Sequence, residues 1–247
     1  MDTTTLTQNL TQYSPKVNEI ATLINQSSKK VALIIIGIMF LLEIDSWYRT
    51  LKDQGGGLTG EMWLEVAFKY LVALFLVNYS AEIFDFIVNL VIASVKTISG
   101  LVKPEEFKSK VTADGVNGWM EKGFINIGGS IIDSIAGISI NIILFLRAFQ
   151  MYVLKAIAPI LMAFWMADAT REISKGFIKE FAAAAFQGLL LFLVSSIYVG
   201  IVADDLFKVD TGKGGWDTAF ASLAKGVVYI FVIWQTQRQA KKLMATS

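Results

Sequence analysis

The chain has 247 residues, 54% of them hydrophobic and only 17% charged, with a formal net charge of +1 and a mean hydropathy of +0.55. A soluble domain carries roughly 25% charged residues, and a soluble fold of this length cannot hide so much apolar surface, so membrane residence is the economical reading. With no cysteine and no histidine, disulfides, thiolate nucleophiles, imidazole bases and zinc sites are excluded, and the near-neutral balance advertises no nucleic-acid surface.

Residues 1–30 read as an N-terminal amphipathic arm. Leu6, Leu10, Tyr13, Val17, Ile20 and Ile24 recur at steps of four and three, which is one stripe of a helix. Pro15 is expected to kink that helix or to open a new one with Ser14 as its cap. The apolar run from Val31 lacks a following small-residue cleavage site, so it reads as a retained anchor rather than a signal peptide.

Six apolar segments follow, at about 30–48, 63–78, 124–149, 152–167, 177–202 and 216–234. A spanning helix needs roughly 20 residues, so the expectation is an all-α polytopic bundle of about six spans, with five or seven as alternatives. The domain reading is an arm at 1–30, a membrane domain at 31–237 and a basic tail at 238–247. Arg147 and Lys155 bracket the join between the third and fourth segments, which is read as a tight hairpin or a re-entrant segment. The second segment continues as a helical pattern over 61–98, too long for a layer of about 30 Å. Its extension carries Asn78, Glu82, Asp85, Asn89 and Lys96 on one face and reads as a helix leaving the bilayer. A break near "NYSAE" with a seventh span is the alternative.

On the six-span model, Lys16, Lys29, Lys30, Lys103, Lys108, Lys110, Lys122, Arg171, Lys175, Lys179, Arg238, Lys241 and Lys242 fall on one side. Arg49, Lys52, Lys208 and Lys213 fall on the other, so the positive-inside rule places both ends in the cytoplasm. Gly55–57 and 210–217 are turn-rich loops. Trp47, Trp63, Trp165, Trp216 and Trp234 lie near span ends, and Trp119 just before a span, as interfacial anchors do.

Residues 168–181 interrupt two apolar runs. Ala169, Ile173, Phe177, Ile178 and Phe181 form their apolar side, while Arg171, Lys175 and Lys179 are basic. The stretch reads as a short interfacial helix, either a plain elbow between spans or a docking point for a cytoplasmic partner. Together with its flanks, "KAIAPILMAFWMADATREISKGFIKEFAAAAFQGLLLFLVSSIY" resembles the core of TrbL-like subunits of conjugation and type IV secretion machines. Ala158-Pro159, Arg171, Phe177, Lys179 and Gln187 stand in that family's order, over about 125–235. The resemblance implies an oligomeric subunit of the bacterial inner membrane at the base of a translocation channel or stalk. It implies as partners a cytoplasmic ATPase, a stalk or pilin-like subunit and lipid, with nucleic acid only as transported cargo.

Polar groups within the apolar segments are the candidates for chemistry. Glu65 and Lys69 are four apart and read as a self-neutralising pair, or as lining a water path. Gly129, Asp133, Gly137 and Asn141 recur at four-residue steps, a close-packing or oligomerisation stripe. Ala184 and Gly188 repeat that theme, and Gln187 is read as hydrogen-bonding across helices there. Asp133 is expected to find a partner, with Arg147 or a neighbouring lysine as the choice. "GKGGWDT" lacks the upstream glycine of a phosphate loop and "DTGKGGWD" lacks the ligands of a calcium loop. No cofactor or metal is expected and no enzyme. The leading function is a channel or scaffold subunit of a secretion machine; a small secondary transporter or ion channel is the alternative.

Overall fold

The computed structural model describes residues 3–53, 59–102, 119–203 and 215–244. The turn-rich stretches 55–57 and 210–214, and Lys103, Lys108, Lys110, Lys208 and Lys213, lie outside the described residues. Regular structure among the described residues is helical throughout: α1 (Thr3–Leu6), α2 (Leu10–Tyr13), α3 (Pro15–Asp53), α4 (Gly60–Asn78), α5 (Ser80–Leu101), α6 (Trp119–Ala163), α7 (Arg171–Ala203) and α8 (Gly215–Leu243).

Local chemistry sets the first boundaries. Asn9 caps α2 in a capping box: its Oδ1 accepts the Gln12 N–H at 2.8 Å, and Gln12 Oε1 accepts the Asn9 N–H at 3.1 Å. Ser14 is extended at φ −152°, as a residue before proline prefers, and α3 opens on Pro15, where the missing N–H costs nothing. From there α3 runs 39 residues without a break, so arm and first apolar run are one helix.

Among the described residues four helices are long and apolar enough to cross a membrane: Pro15–Lys52, Ser80–Leu101, Ile125–Ala163 and Arg171–Val202. Three expectations change in consequence. The 61–98 pattern is not one helix, because it breaks at Tyr79 and its second half, α5, is itself of spanning length. The third and fourth segments are not joined by a hairpin, because α6 continues from Trp119 to Ala163. Residues 147–155, RAFQMYVLK, hold no glycine or proline to turn on, and both flanking charges are buried rather than solvated. Finally, 168–181 is not a separate interfacial helix: α7 begins at Arg171 and continues through four consecutive alanines, the strongest helix former.

The chain divides into two compact units. One comprises 1–7, 91–147 and 186–240, the other 8–90, 148–185 and 241–247. In the first, Leu6, Val95, Ile140, Leu144, Leu191, Phe192, Tyr229 and Ile233 form the core. Tyr229 donates to Ser195 Oγ at 3.2 Å and Tyr198 to the Lys225 carbonyl at 2.6 Å, so both phenols enter the core with their hydroxyls bonded. The face of α6 that packs there is Ala136, Ile140, Ile143 and Leu144. The stripe predicted at four-residue steps is not that face. Four residues overshoot a 3.6-residue turn by about 40°, so Gly129 is buried, Asp133 half-buried, and Gly137 and Asn141 exposed. In the second unit Phe84 stacks on Phe181 at 4.0 Å and tilts against Phe177 at 5.5 Å.

Polarity runs opposite to that of a soluble protein. Asn25, Glu43, Lys69, Lys155, Arg147 and Gln187 are buried. Leu64, Phe68, Phe86, Phe145 and Phe231 face outward, each more than half exposed. Of the N-terminal stripe only Leu6 and Leu10 are buried, while Val17, Ile20 and Ile24 are exposed. Lipid against the outer faces makes this arrangement favourable, whereas water there would not.

Gly188 offers a sharp test of the packing. A Cβ at this position would collide with the guanidinium of buried Arg147, and overpacking typically costs about 1–3 kcal/mol. At Gly176, in the same helix, an added Cβ meets nothing, and alanine gains about 1 kcal/mol of helix propensity. Thermal unfolding in detergent is expected to move down for Gly188→Ala and to hold or rise for Gly176→Ala.

Candidate functional site: polar clusters at the helix breaks

The polar side chains of the 8–90 and 148–185 unit gather where helices are interrupted. At the first break, between α4 and α5, the helix end leaves carbonyls without intrahelical donors. Lys29 Nζ donates to the Asn78 carbonyl at 2.6 Å, Ser80 Oγ to that of Val77 at 3.1 Å, and Asn78 Nδ2 to that of Leu74 at 2.9 Å.

The second interruption is Pro159 inside α6. A proline lacks the N–H that would bond the carbonyl four residues back, here that of Lys155. Asn25 Nδ2 supplies the donor at 2.7 Å. The ammonium of Lys155 turns elsewhere: it meets both oxygens of Asp85 at 2.8 Å and Asn18 Oδ1 at 3.0 Å. Asp85, on the polar face of α5, is therefore the ion-pair partner of Lys155. One turn earlier Tyr152 donates its hydroxyl to the Leu10 carbonyl at 2.6 Å, seating the arm.

The third cluster closes the turn from α6 to α7. Ser174 Oγ donates to the Leu161 carbonyl at 2.7 Å and Thr170 Oγ1 to that of Phe164 at 2.9 Å. Lys69 Nζ stands among three carboxylates: Asp168 Oδ2 at 2.6 Å, Glu43 Oε1 at 2.7 Å and Glu65 Oε1 at 3.1 Å. The expected Glu65–Lys69 pair is present, within a larger group. Glu43 Oε2 also accepts the Asp168 N–H at 3.1 Å, and Arg171 grips Asp168 Oδ1 at 2.6 Å. Lys69 lies 4.8 Å from the Trp47 ring centroid and Arg171 5.7 Å from that of Trp165, so both tryptophans face cations as well as span ends. Burial alone raises the Asp168 carboxyl. The hydrogen bond and charge of Lys69, with Arg171 behind it, outweigh burial and hold the group below its ordinary value. Among the described residues no cluster of acids stands ready for a metal ion; these three converge on an ammonium.

The three basic residues read as a partner surface differ in availability. Arg171 is half-buried and engaged with Asp168, Lys175 pairs with exposed Glu172 at 2.7 Å, and Lys179 is exposed. Gln187, Ala184 and Gly188 are buried. Asp133 and Arg147 are fourteen residues apart on one continuous helix, about 21 Å of rise, so the pairing suggested between them is out of reach along α6. Glu43, Asp85, Lys155, Asn25 and Lys29 were not singled out as site residues. Glu43, a lone acid inside the run VALIIIGIMFLLEI, was the readable signal among them.

Helices of spanning length, apolar outside and polar inside, define a multi-pass helical membrane protein. Residues 77–236 match the family model described as TrbL/VirB6 plasmid conjugal transfer protein. The chain belongs to the TrbL/VirB6 family, and is thereby a component of conjugal transfer and type IV secretion. No curated protein and no solved structure matches it.

Two results are expected of the Lys69 cluster. Lys69→Met leaves Glu43, only 4% exposed, with its principal cation gone. Breaking a buried pair in this way costs roughly 3–5 kcal/mol, and Glu43→Gln in the same chain should return part of it in detergent melts. The second concerns acid. A carboxylate whose folded-state value is depressed contributes stability fully present above its unfolded value, about pH 4, and lost as pH falls through the lower one. Melting temperature followed below pH 4 should therefore fall less steeply in Asp168→Asn than in the parent chain.

Proposed function

We propose that the chain is a non-enzymatic scaffold and channel subunit of a type IV secretion machine. It oligomerises in the bacterial cytoplasmic membrane at the base of the translocation channel or stalk, with its C-terminus in the cytoplasm. The observation that carries this is the outward face of α6. Asn126, Ser130, Ser134, Gly137 and Asn141 are all exposed on a helix of spanning length, and a Cβ at Gly137 would meet nothing in the chain. Ser130 and Ser134 return their hydroxyls to the carbonyls four residues back, at 2.9 and 2.7 Å. The asparagine amides are costly against lipid tails and favourable against another helix or water. Small residues among them allow that helix to approach closely.

The charged groups support scaffolding over a proton or ion relay, because Glu43, Glu65 and Asp168 converge on the Lys69 ammonium, with Arg171 on Asp168, and so are engaged within the chain. Exposed Lys179 and the end of α8 are where cytoplasmic machinery would meet this subunit. Lys241 of that end pairs with Glu180 at 2.7 Å, and Glu180 also accepts from Gln150 at 2.9 Å, leaving exposed Lys242 free to face a partner such as the ATPase.

Gly137→Leu tests the reading. It should leave the melting temperature of the detergent-extracted chain close to the parent value, reduce the assembly to smaller species by native mass spectrometry, and lower plasmid transfer at least tenfold. Unchanged mass and unchanged transfer would defeat the proposal.

A further inference from the structure

Asn25 is buried at 0% relative exposure on α3, a position where an unpaired amide is expensive. Both of its amide hydrogens are used, on two different helices. One goes to the Lys155 carbonyl at 2.7 Å, the acceptor that Pro159 strips of its helical donor; the other goes to Ser80 Oγ at 3.2 Å. Ser80 is the first residue of α5, and its hydroxyl in turn caps the Val77 carbonyl at the end of α4. Four residues along α3, on the same face, Lys29 caps Asn78 at that break. Among the described residues Asn25 Oδ1 accepts no hydrogen bond. Burying that acceptor unbonded is unfavourable, so the amide's contribution in this place is what it donates.

We propose that Asn25 is a coupling residue between two joints, the proline joint of α6 and the break between α4 and α5. A single planar amide holds both acceptors, so rotating or withdrawing it to free one joint weakens its bond to the other. The two joints therefore open and close together, with α3 as the member that ties them. This holds whether or not the chain lines a channel, because it concerns the positioning of one subunit's own helices.

The test is a double-mutant cycle with a local reporter at each joint. Alanine at 159 restores the N–H that Lys155 lacks, so it relieves half of Asn25's task. Asn25→Leu is expected to lower the melting temperature in detergent by several degrees in the parent chain, and by less than half as much in a Pro159→Ala background. If Asn25→Leu alone yields no folded protein, recovery of folded Asn25→Leu/Pro159→Ala is the supporting result. An equal loss in both backgrounds, or no recovery, overturns the assignment. The chain has no native cysteine, so single cysteines at Tyr79 and at Ile157 report the joints by maleimide labelling. Asn25→Leu should speed labelling at both sites severalfold. Faster labelling at one site only would show that the joints are independent, and would refute the coupling.

Discussion

The constraint on which the rest of this molecule depends is the need to satisfy backbone carbonyls without water. A continuous helix bonds its own backbone, which is why apolar surroundings accept it. Each interruption breaks that economy, and among the described residues of the 8–90 and 148–185 unit three fall in or between its long helices: the Tyr79 break, Pro159, and the turn at 164–170. At each one a side chain stands in for the missing N–H. Lys29 and Ser80 serve the first, Asn25 the second, and Thr170 and Ser174 the third. The buried polar residues are accordingly not scattered through the helices. They mark where the backbone fails to serve itself.

The charges obey the same logic at higher stakes. A lysine ammonium removed from water needs compensation for all of its lost hydration. Lys69 receives three carboxylates and a tryptophan face, and Lys155 receives a bidentate aspartate and an asparagine oxygen. With these charges satisfied inward, long apolar faces remain for lipid. Membership of the TrbL/VirB6 family sets this architecture within conjugal transfer. The match from residue 77 onward leaves out α3 and nearly all of α4, the helices that supply Asn25, Lys29, Glu43 and Lys69.

Much of the fold was legible from composition and periodicity, because apolar runs of spanning length leave few alternatives to helices in lipid. The errors came from reading charges as signs of water. Arg147 and Lys155 looked like the two lips of a hairpin, yet they sit eight residues apart on one continuous helix and each is buried. Asp85 was placed on a polar face leaving the bilayer because its partner lies 70 residues away. The Glu65–Lys69 pair was visible because it is local in sequence, and Glu43 and Asp168 were not assigned to it because periodicity carries no information about which helices meet. Pro159 stood out as a landmark of the family resemblance; the Lys155 carbonyl that it orphans, the feature that calls for Asn25, is apparent only when the neighbouring helix is in place.

The span between clasp and clasped has a bearing on how the chain is made. Glu43 and Glu65 emerge before or with Lys69, so that lysine can enter the bilayer already neutralised, with Asp168 arriving 99 residues later. Asn25 waits for Lys155, 130 residues downstream, and the Leu10 carbonyl for Tyr152, 142 residues downstream. The ribosome therefore delivers the opening helices with their local clasps, Glu43 to Lys69 and Lys29 to Asn78, already available, while the contacts that seat residues 10–25 against α6 form only once the chain has been made past residue 155.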